Sequence, residues 1–198
     1  SYPPGLLDGL KKIVLSTPFN YSAGGQYINT TKILELSFHV PVRNNIGDLF
    51  HEIAHAIDFQ KWDGTVFDDF FKKSDFSDPE RLDFAHRYGA TNSREDFATT
   101  VAAYMMDTTE QVLRGITQAQ SDKPVYLEKT LYVLNVFTEG HPDYAVIYKT
   151  ENNTVKTFKV GVMRKDGIIT ALGGVNVYNP DGSYNLEGLS DYFSKSQF

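Results

Sequence analysis

The sequence predicts an α+β protein with a mostly helical body, a small N-terminal sheet and a C-terminal antiparallel β meander. Apolar residues recur at helical spacing through much of residues 46–137. Residues 144–178 are instead rich in β-branched and aromatic side chains, and clusters of turn-forming residues divide them. This change of pattern along the chain predicts helices first and a small sheet after them.

Composition excludes several classes of protein. The chain of 198 residues is long enough for one large domain, or for a domain with a small appendage. It contains no cysteine, which excludes disulfides, Cys-ligated zinc and thiolate nucleophiles. The net charge of -6 argues against nucleic-acid and anionic-membrane binding. No apolar run approaches the ~20 residues that span a bilayer.

The elements are expected in the following order. Residues 6–15 predict a short helix that runs into a strand, and residues 32–38 predict a strand after the turn at Gly24-Gly25. Asn44-Asn45 offers a cap for a helix over residues 46–60. Shorter helices are expected over residues 68–73 and 79–88, a break at 89–92, and further helices over 93–106, 108–117 and 121–137.

The C-terminal region predicts strands over residues 144–150, 155–164 and 168–178 and a helical tail over 189–194. A division into residues 1–140 and 141–198 follows from this change of pattern. Because a sheet of this size is marginal on its own, we expect it to pack against the helical part.

One motif points to metal chemistry. His51-Glu52-Ile53-Ala54-His55 is an H-E-x-x-H sequence inside the helix expected over residues 46–60. Residues four apart lie on one helix face, so both imidazoles can face one metal ion. Glu52 lies about 100° farther around the helix, where it can hydrogen-bond a water molecule on the metal. The alternative is a pair of ordinary histidines beside an incidental glutamate. This is the weaker interpretation, because the motif lies in a helix that has an apolar face on its other side.

A catalytic zinc site needs a third protein ligand and an open position for water. Lys61 stands where the extended motif has a third histidine, and Asp58 replaces its glycine. We therefore expect a carboxylate downstream, and Glu95, in the first turn of the next long helix, is the leading candidate. The competing candidates are Asp83, Asp96 and His86. Glu95 also has a purely structural interpretation, because Asn92-x-x-Glu95 resembles a capping box.

Two segments resemble a known family. Tyr88-Gly89-Ala90-Thr91-Asn92-Ser93-Arg94-Glu95-Asp96-Phe97-Ala98 resembles the Tyr-Gly-x-Thr-Asn-x-x-Glu-x-Phe-Ala segment of the anthrax-lethal-factor-like metallopeptidases, which include the Pro-Pro endopeptidases. The segment from His51 to Asp58 is similar to the family's active-site helix, which continues into an aspartate. The resemblance covers roughly residues 45–106. It implies a zincin-like metallopeptidase domain over residues 1–140, with Glu95 as third ligand and Tyr88 facing the substrate carbonyl.

The chain departs from the family at two positions. Thr99 stands where members often carry a second acid four residues after the ligand glutamate, and Asp96 stands where an aromatic residue is usual. Loss of an outer acid that orients an imidazole costs 10–100-fold in affinity or activity elsewhere. The Thr99 hydroxyl can substitute in part. Asp58, one turn beyond His55, has two interpretations: it orients a ligand imidazole from behind, or it is a solvated helix residue.

The expected activity is hydrolysis of peptide bonds by a zinc-dependent endopeptidase. One Zn²⁺ ion with one bound water is expected on His51 Nε2, His55 Nε2 and Glu95. Glu52 is the expected general base, and Tyr88 is expected to donate to the developing oxyanion. The strand over residues 32–38 is expected to border the cleft, where an extended peptide pairs with it. The remaining histidines, His39, His86 and His141, are expected to be ordinary side chains.

Two other classes compete with this hypothesis. In one, the chain is a catalytically silent zincin-like binding or adhesion module that uses the sheet of residues 141–198, and in the other the metal is purely structural. Intact Glu52 argues against the binding module. Three ligands with a neighbouring base argue against a structural metal, because structural zinc normally has four protein ligands. We expect a protein or peptide substrate, no nucleic-acid partner, no membrane span and a secreted protein, with a monomer favoured. Because the chain begins Ser1-Tyr2-Pro3-Pro4, we expect a processed mature chain or an excised domain.

Overall fold

The computed structural model describes residues 7–16, 24–37, 45–62, 74–77, 83–138, 141–152, 154–196 and 198. Helices and strands are mixed along the chain, as the sequence predicts. The chain divides into two compact units, one over residues 2–103 and the other over residues 104–198. The expected division at residue 140 lies inside the second unit and stays a prediction. Among the described residues, no helix is long and apolar enough to cross a membrane.

A three-stranded sheet opens the first unit. Its strands are β1 (Lys12–Ser16), β2 (Gly25–Ile28) and β3 (Ile33–Ser37). β3 is central, parallel to β1 and antiparallel to β2. The strand expected over residues 32–38 is confirmed as β3, apart from residue 38, which lies outside the described residues. The short helix expected before β1 is wrong over the described residues 7–10, which form a turn followed by a residue outside any helix or strand.

Helix α1 (Asn45–Trp62) follows the sheet and confirms the helix expected over residues 46–60, with two further residues at its end. Its apolar side chains are spaced as the pattern predicts and are buried: Phe50, Ile53, Ala54, Ala56 and Ile57. This face explains why α1 packs against β2 and β3. The expected cap residue, Asn44, lies outside the described residues.

The segment between α1 and the next helix differs from the expectation. The helix expected over 68–73 and the first four residues of the one expected over 79–88 lie outside the described residues. From Asp83 to His86 the chain forms turns and bends, and a 3₁₀ helix (Arg87–Thr91) then begins. His86 starts it, because the Nδ1 atom of His86 accepts a hydrogen bond from the Tyr88 N–H at 3.1 Å. Helix α2 (Ser93–Met106) has the expected bounds.

The second unit contains helices and a four-stranded antiparallel sheet. The helices are α3 (Thr108–Ser121), α4 (Val125–Val136) and α5 (Leu186–Lys195), and the strands in sheet order are β4 (Tyr144–Glu151), β5 (Thr154–Lys165), β6 (Ile168–Leu172) and β7 (Val175–Asn176). The single strand expected over residues 168–178 is divided, because Gly173 and Gly174 take positive φ angles of 56° and 86° and make a turn. The helix expected from residue 121 starts only after Pro124, since proline suits a helix start.

The sheet of the second unit is held to helical residues of the same unit. The Tyr104 hydroxyl donates to the Val146 carbonyl at 2.6 Å, and the Tyr148 N–H donates to Thr108 Oγ1 at 3.0 Å. All four residues are buried. Packing of β4 on these helices agrees with the expectation that the small sheet does not stand alone.

Candidate metal centre

Three side chains on α1 and α2, all in the first unit, bring their ligand atoms together. The Nε2 atoms of His51 and His55 are 3.1 Å apart. Glu95 Oε2 lies 3.0 Å from the Nε2 atom of His51 and 3.4 Å from that of His55. The three residues form a group that could hold a metal ion. The structure therefore brings together the residues that the motif and the resemblance pointed to.

The spacing of these atoms suits a small tetrahedral ion. With metal–ligand bonds of about 2.0–2.1 Å, neighbouring ligand atoms in a tetrahedral site lie about 3.3 Å apart. Glu95 Oε2 is inaccessible to solvent, and no donor meets hydrogen-bond geometry toward it although both imidazoles are close. The short contacts between Glu95 and the two imidazoles are electrostatic. A buried carboxylate oxygen without a hydrogen bond costs free energy, which coordination of a cation would offset.

Asn92 caps the start of α2 and so fixes the backbone of Glu95. Asn92 Oδ1 accepts hydrogen bonds from the backbone N–H groups of Arg94 and Glu95, at 3.0 Å and 3.1 Å. This satisfies the first turn of α2 without the Glu95 side chain. The interpretation of Glu95 as a capping residue is therefore not needed, because Asn92 caps the helix. The Glu95 carboxylate faces the two histidines, as a ligand would.

The charge of Glu95 is stabilised by the same histidines. Burial by itself raises the pKa of a carboxyl group, but the nearby imidazoles of His51 and His55 outweigh it here and lower the pKa of Glu95 to about 2. Glu95 is consequently ionised at neutral pH, as a metal ligand must be.

The competing ligand candidates make other contacts. Asp83 Oδ2 accepts the Asp75 N–H at 3.2 Å, and Asp96 Oδ2 accepts the Ser74 hydroxyl at 2.9 Å. His86 caps the 3₁₀ helix, as described above. None of the three belongs to the metal-ligand group found among the described residues.

Glu52 lies beside the ligand group without supplying a ligand atom to it. Its side chain is buried, and the Tyr27 backbone N–H donates to its carboxylate. Burial raises the pKa of Glu52 to about 7; the charge of His51 opposes the rise, while Glu95 and Asp48 add to it. A carboxyl group with this pKa can both accept and release a proton near neutral pH.

Tyr88 stands at the open side of the site. Its side chain is 52% exposed, and its ring centroid lies 5.8 Å from that of His51. Burial, followed by the negative charges of Glu95 and Glu52, raises the pKa of Tyr88 above its usual value. The hydroxyl therefore stays protonated at neutral pH and is available as a hydrogen-bond donor.

Asp58 and Thr99, the two residues expected to support the ligands, are both buried. Asp58 is completely buried on α1, so it is not a solvated helix residue, and its orienting role toward an imidazole stays a prediction. Thr99 packs on Gly89, and its hydroxyl donates to the backbone carbonyl of Glu95 at 2.8 Å. Thr99 thus contacts the site through the backbone of a ligand residue, and its orienting role toward an imidazole stays a prediction.

A cavity of about 280 Å³ opens over the ligand group. Its described lining residues are Gly25, Gln26, Tyr27, His51, Glu52, His55, Phe59, Tyr88, Arg94 and Glu95. The strand at its side is β2, an edge strand, whereas β3 lies in the middle of the sheet. Among the described residues, β3 does not line the cavity, and its hairpin partner β2 does. The expectation that the strand over residues 32–38 borders the cleft is therefore wrong for residues 32–37.

Sequence reasoning missed the contribution of β2. Gly25 lies against Glu52: a Cβ atom there would come 2.8 Å from Glu52 Cγ and 3.0 Å from the Glu35 carbonyl oxygen. The signal in the sequence is the Gly24-Gly25 pair, which by itself indicates a turn. A strand of four residues is too short for its alternation to be recognised.

Comparisons of the chain with known protein families, with curated protein sequences and with solved structures find no significant match. The geometry of the site itself is therefore the basis for any function.

Proposed function

We propose that the chain is a zinc-dependent endopeptidase of the lethal-factor-like, zincin-like kind. The observation that carries the proposal is the convergence of His51, His55 and Glu95 on one point, with the buried carboxyl group of Glu52 beside it. Two imidazoles and one carboxylate are a known ligand set of catalytic zinc, which leaves a fourth position open. A structural zinc site would instead have four protein ligands.

The residues have separate tasks in the proposed reaction. Zinc in such a site supplies a Lewis acid and lowers the pKa of its water toward about 7. Glu52 accepts a proton from the attacking water and passes it to the departing amine nitrogen. Burial raises the pKa of this carboxyl group to about 7 in the metal-free site, and the Tyr27 N–H donates to its carboxylate. Tyr88 donates its hydroxyl to the carbonyl oxygen as negative charge develops there.

The edge of β2 that faces away from β3 has no strand paired with it among the described residues, and this supports a peptide as the substrate. The Ser37 N–H donates to the Gly24 carbonyl at 2.9 Å, and the register pairs Gly25 with Leu36. Because hydrogen-bonded pairs alternate along an antiparallel ladder, Gly25 and Tyr27 direct their backbone groups away from β3. The bond from the Tyr27 N–H to Glu52 agrees with this. An extended peptide laid along this edge would find backbone partners beside the ligand group.

The test uses protein loaded with one equivalent of zinc and a mixed peptide library analysed by mass spectrometry. We expect cleavage that a chelator abolishes and added zinc restores. Glu52→Gln should bind zinc with unchanged stoichiometry and cleave nothing, whereas Glu110→Gln, the same change at an exposed glutamate of α3, should behave as wild type.

Other outcomes decide between the alternatives. Zinc binding without any cleavage by the wild-type protein would favour the silent binding module. Unfolding of the protein on chelation would favour a structural metal. Full activity of Glu52→Gln would remove Glu52 from its assigned role.

A further inference from the structure

Two consecutive glycines lie against two acidic side chains of α1. A Cβ atom on Gly24, directly before β2, would come 2.3 Å from Asp48 Oδ2 and 2.5 Å from Asp48 Cγ. A Cβ atom on Gly25, the first residue of β2, would come 2.8 Å from Glu52 Cγ. Neither glycine can be replaced without movement of one side or the other, so the start of β2 and α1 approach each other closely through these residues.

The two acidic residues form a row on one face of α1. Asp48 and Glu52 are four residues apart in the helix, so their side chains are neighbours on its surface. The chain through Gly24 and Gly25 passes along this row, with one acidic side chain against each glycine. Farther along β2, the Tyr27 N–H donates to the Glu52 carboxylate. The row therefore connects Asp48, through the backbone of β2, to the proposed general base.

A helix-dipole role does not account for the position of Asp48. Asp48 is in the first turn of α1, where a negative charge stabilises a helix through its dipole. That effect requires no contact with another element. The Asp48 carboxyl group nevertheless packs so closely on Gly24 that a single methyl group would not fit between them. The contact with Gly24 thus needs an explanation of its own.

Gly24 is also attached to the sheet. Its carbonyl accepts a hydrogen bond from the Ser37 N–H at 2.9 Å, which continues the pairing of β2 with β3. Asp48 therefore packs on a piece of backbone that cannot move independently of the sheet. A displacement of this backbone would also displace Tyr27, three residues farther along, and its N–H with it.

We infer that Asp48 is a positioning residue, which holds the Gly24 end of β2 against α1 and so places the Tyr27 N–H on the Glu52 carboxylate. Its effect on catalysis rests on the proposed peptidase function. Its effect on the Tyr27 N–H does not involve catalysis, so the two effects can be measured separately.

The first measurement is hydrogen exchange of the Tyr27 amide, followed by NMR in protein treated with a chelator. Asp48→Ala should speed this exchange about tenfold, because the bond from the Tyr27 N–H to Glu52 is weakened. The Lys32 N–H donates to the Ile28 carbonyl at 2.8 Å and reports the hairpin of β2 and β3, and its exchange should change little. Equal acceleration of both amides would overturn the inference, because it would report general loosening of the hairpin.

The second measurement is peptide cleavage by the zinc-loaded protein. Asp48→Ala should lower kcat/KM about tenfold, mainly through kcat and with unchanged zinc stoichiometry, as is typical when a residue that orients a metal site is lost. Asp48→Asn keeps the shape and one oxygen acceptor and should retain most of the activity. If Asp48→Asn loses as much as Asp48→Ala, the charge at the helix start explains the effect and the inference is overturned. Glu110→Ala, which removes an acidic residue from the first turn of α3, is the matched control and should behave as wild type.

A double variant tests the contact itself. The φ angle of Gly24 lies outside the left-handed region, so alanine there adds only a methyl group. Gly24→Ala should lower kcat/KM about as much as Asp48→Ala, since the Asp48 carboxyl group must turn away to make room. Asp48→Ala itself creates that room, so the double variant should be no less active than Asp48→Ala alone. If the two losses multiply in the double variant, the residues act independently and the inference fails.

The results distinguish the two proposals. Absence of all cleavage by the wild-type protein would overturn the proposed function, and exchange of the Tyr27 amide would still decide whether Asp48 holds β2 in place. An unchanged kcat/KM in Asp48→Ala would overturn the positioning role and leave the proposed function intact.

Discussion

Replacing Glu52 by glutamine in the metal-free protein tests the environment of this carboxyl group without any assay of activity. Burial raises the pKa of Glu52 from its usual 4.5 to about 7. Between these pH values the native protein binds a proton that the unfolded chain has released. Ionisation of Glu52 in the native protein therefore lowers the free energy of unfolding as pH rises through this window. The decrease is complete above pH 7.

The size of the penalty follows from the pKa. At about 1.4 kcal/mol for each pH unit between 4.5 and about 7, it amounts to about 3 kcal/mol. Glutamine has nearly the same shape and never ionises. The variant should thus match the wild-type protein near pH 4.5 and be about 3 kcal/mol more stable at pH 8.

The assay is urea unfolding in the presence of a chelator at pH 5, 6, 7 and 8. Unfolding is followed by the fluorescence of Trp62, the single tryptophan, at the end of α1. Glu110→Gln should show no comparable gain with pH. The reasoning is refuted if Glu52→Gln changes stability by the same amount at every pH, since a constant difference reports packing and not ionisation. Adding zinc should shrink the gain, because a nearby cation lowers the pKa of a carboxyl group.

Three further changes test other parts of the site. Gly25→Ala should push Glu52 aside and lower kcat/KM for peptide cleavage at least tenfold with zinc still bound. Gly47→Ala is the control, because a Cβ atom there meets nothing within 4 Å, and it should leave kcat/KM unchanged. Equal effects of the two changes would contradict this prediction. Tyr88→Phe should lower kcat about 10²-fold and leave zinc affinity unchanged, and a pure KM effect would count against oxyanion contact. Asn92→Ala should cost about 1 kcal/mol in urea unfolding through loss of the helix cap, and no change would show that the cap is dispensable.

The elements best predicted from sequence are those with a long, regular pattern. α1 ends within two residues of its expected bounds, because apolar residues at helical spacing mark its buried face. α2 has its expected bounds although it has no single buried face, since residues 96–101 are buried without a break. The short segments were predicted less well. The stretch from Asp83 to His86 has no such repeat, and the His86 cap that shapes it depends on one side chain folding back on the backbone. The turn at Gly173-Gly174 divides a segment whose composition favours a strand throughout.

The sequence by itself determined that His51 and His55 share a helix face and that Glu52 stands beside them, because a helix turns 100° per residue whatever surrounds it. Only the tertiary structure decided which acid faces the two imidazoles, since that depends on how α2 meets α1 across 40 residues of chain. It also decided that β2 and not β3 borders the cavity, and that a backbone amide of this edge strand holds Glu52. The periodicity of a helix depends only on residues that are close in sequence. Contacts between distant segments depend instead on the packing of the whole unit.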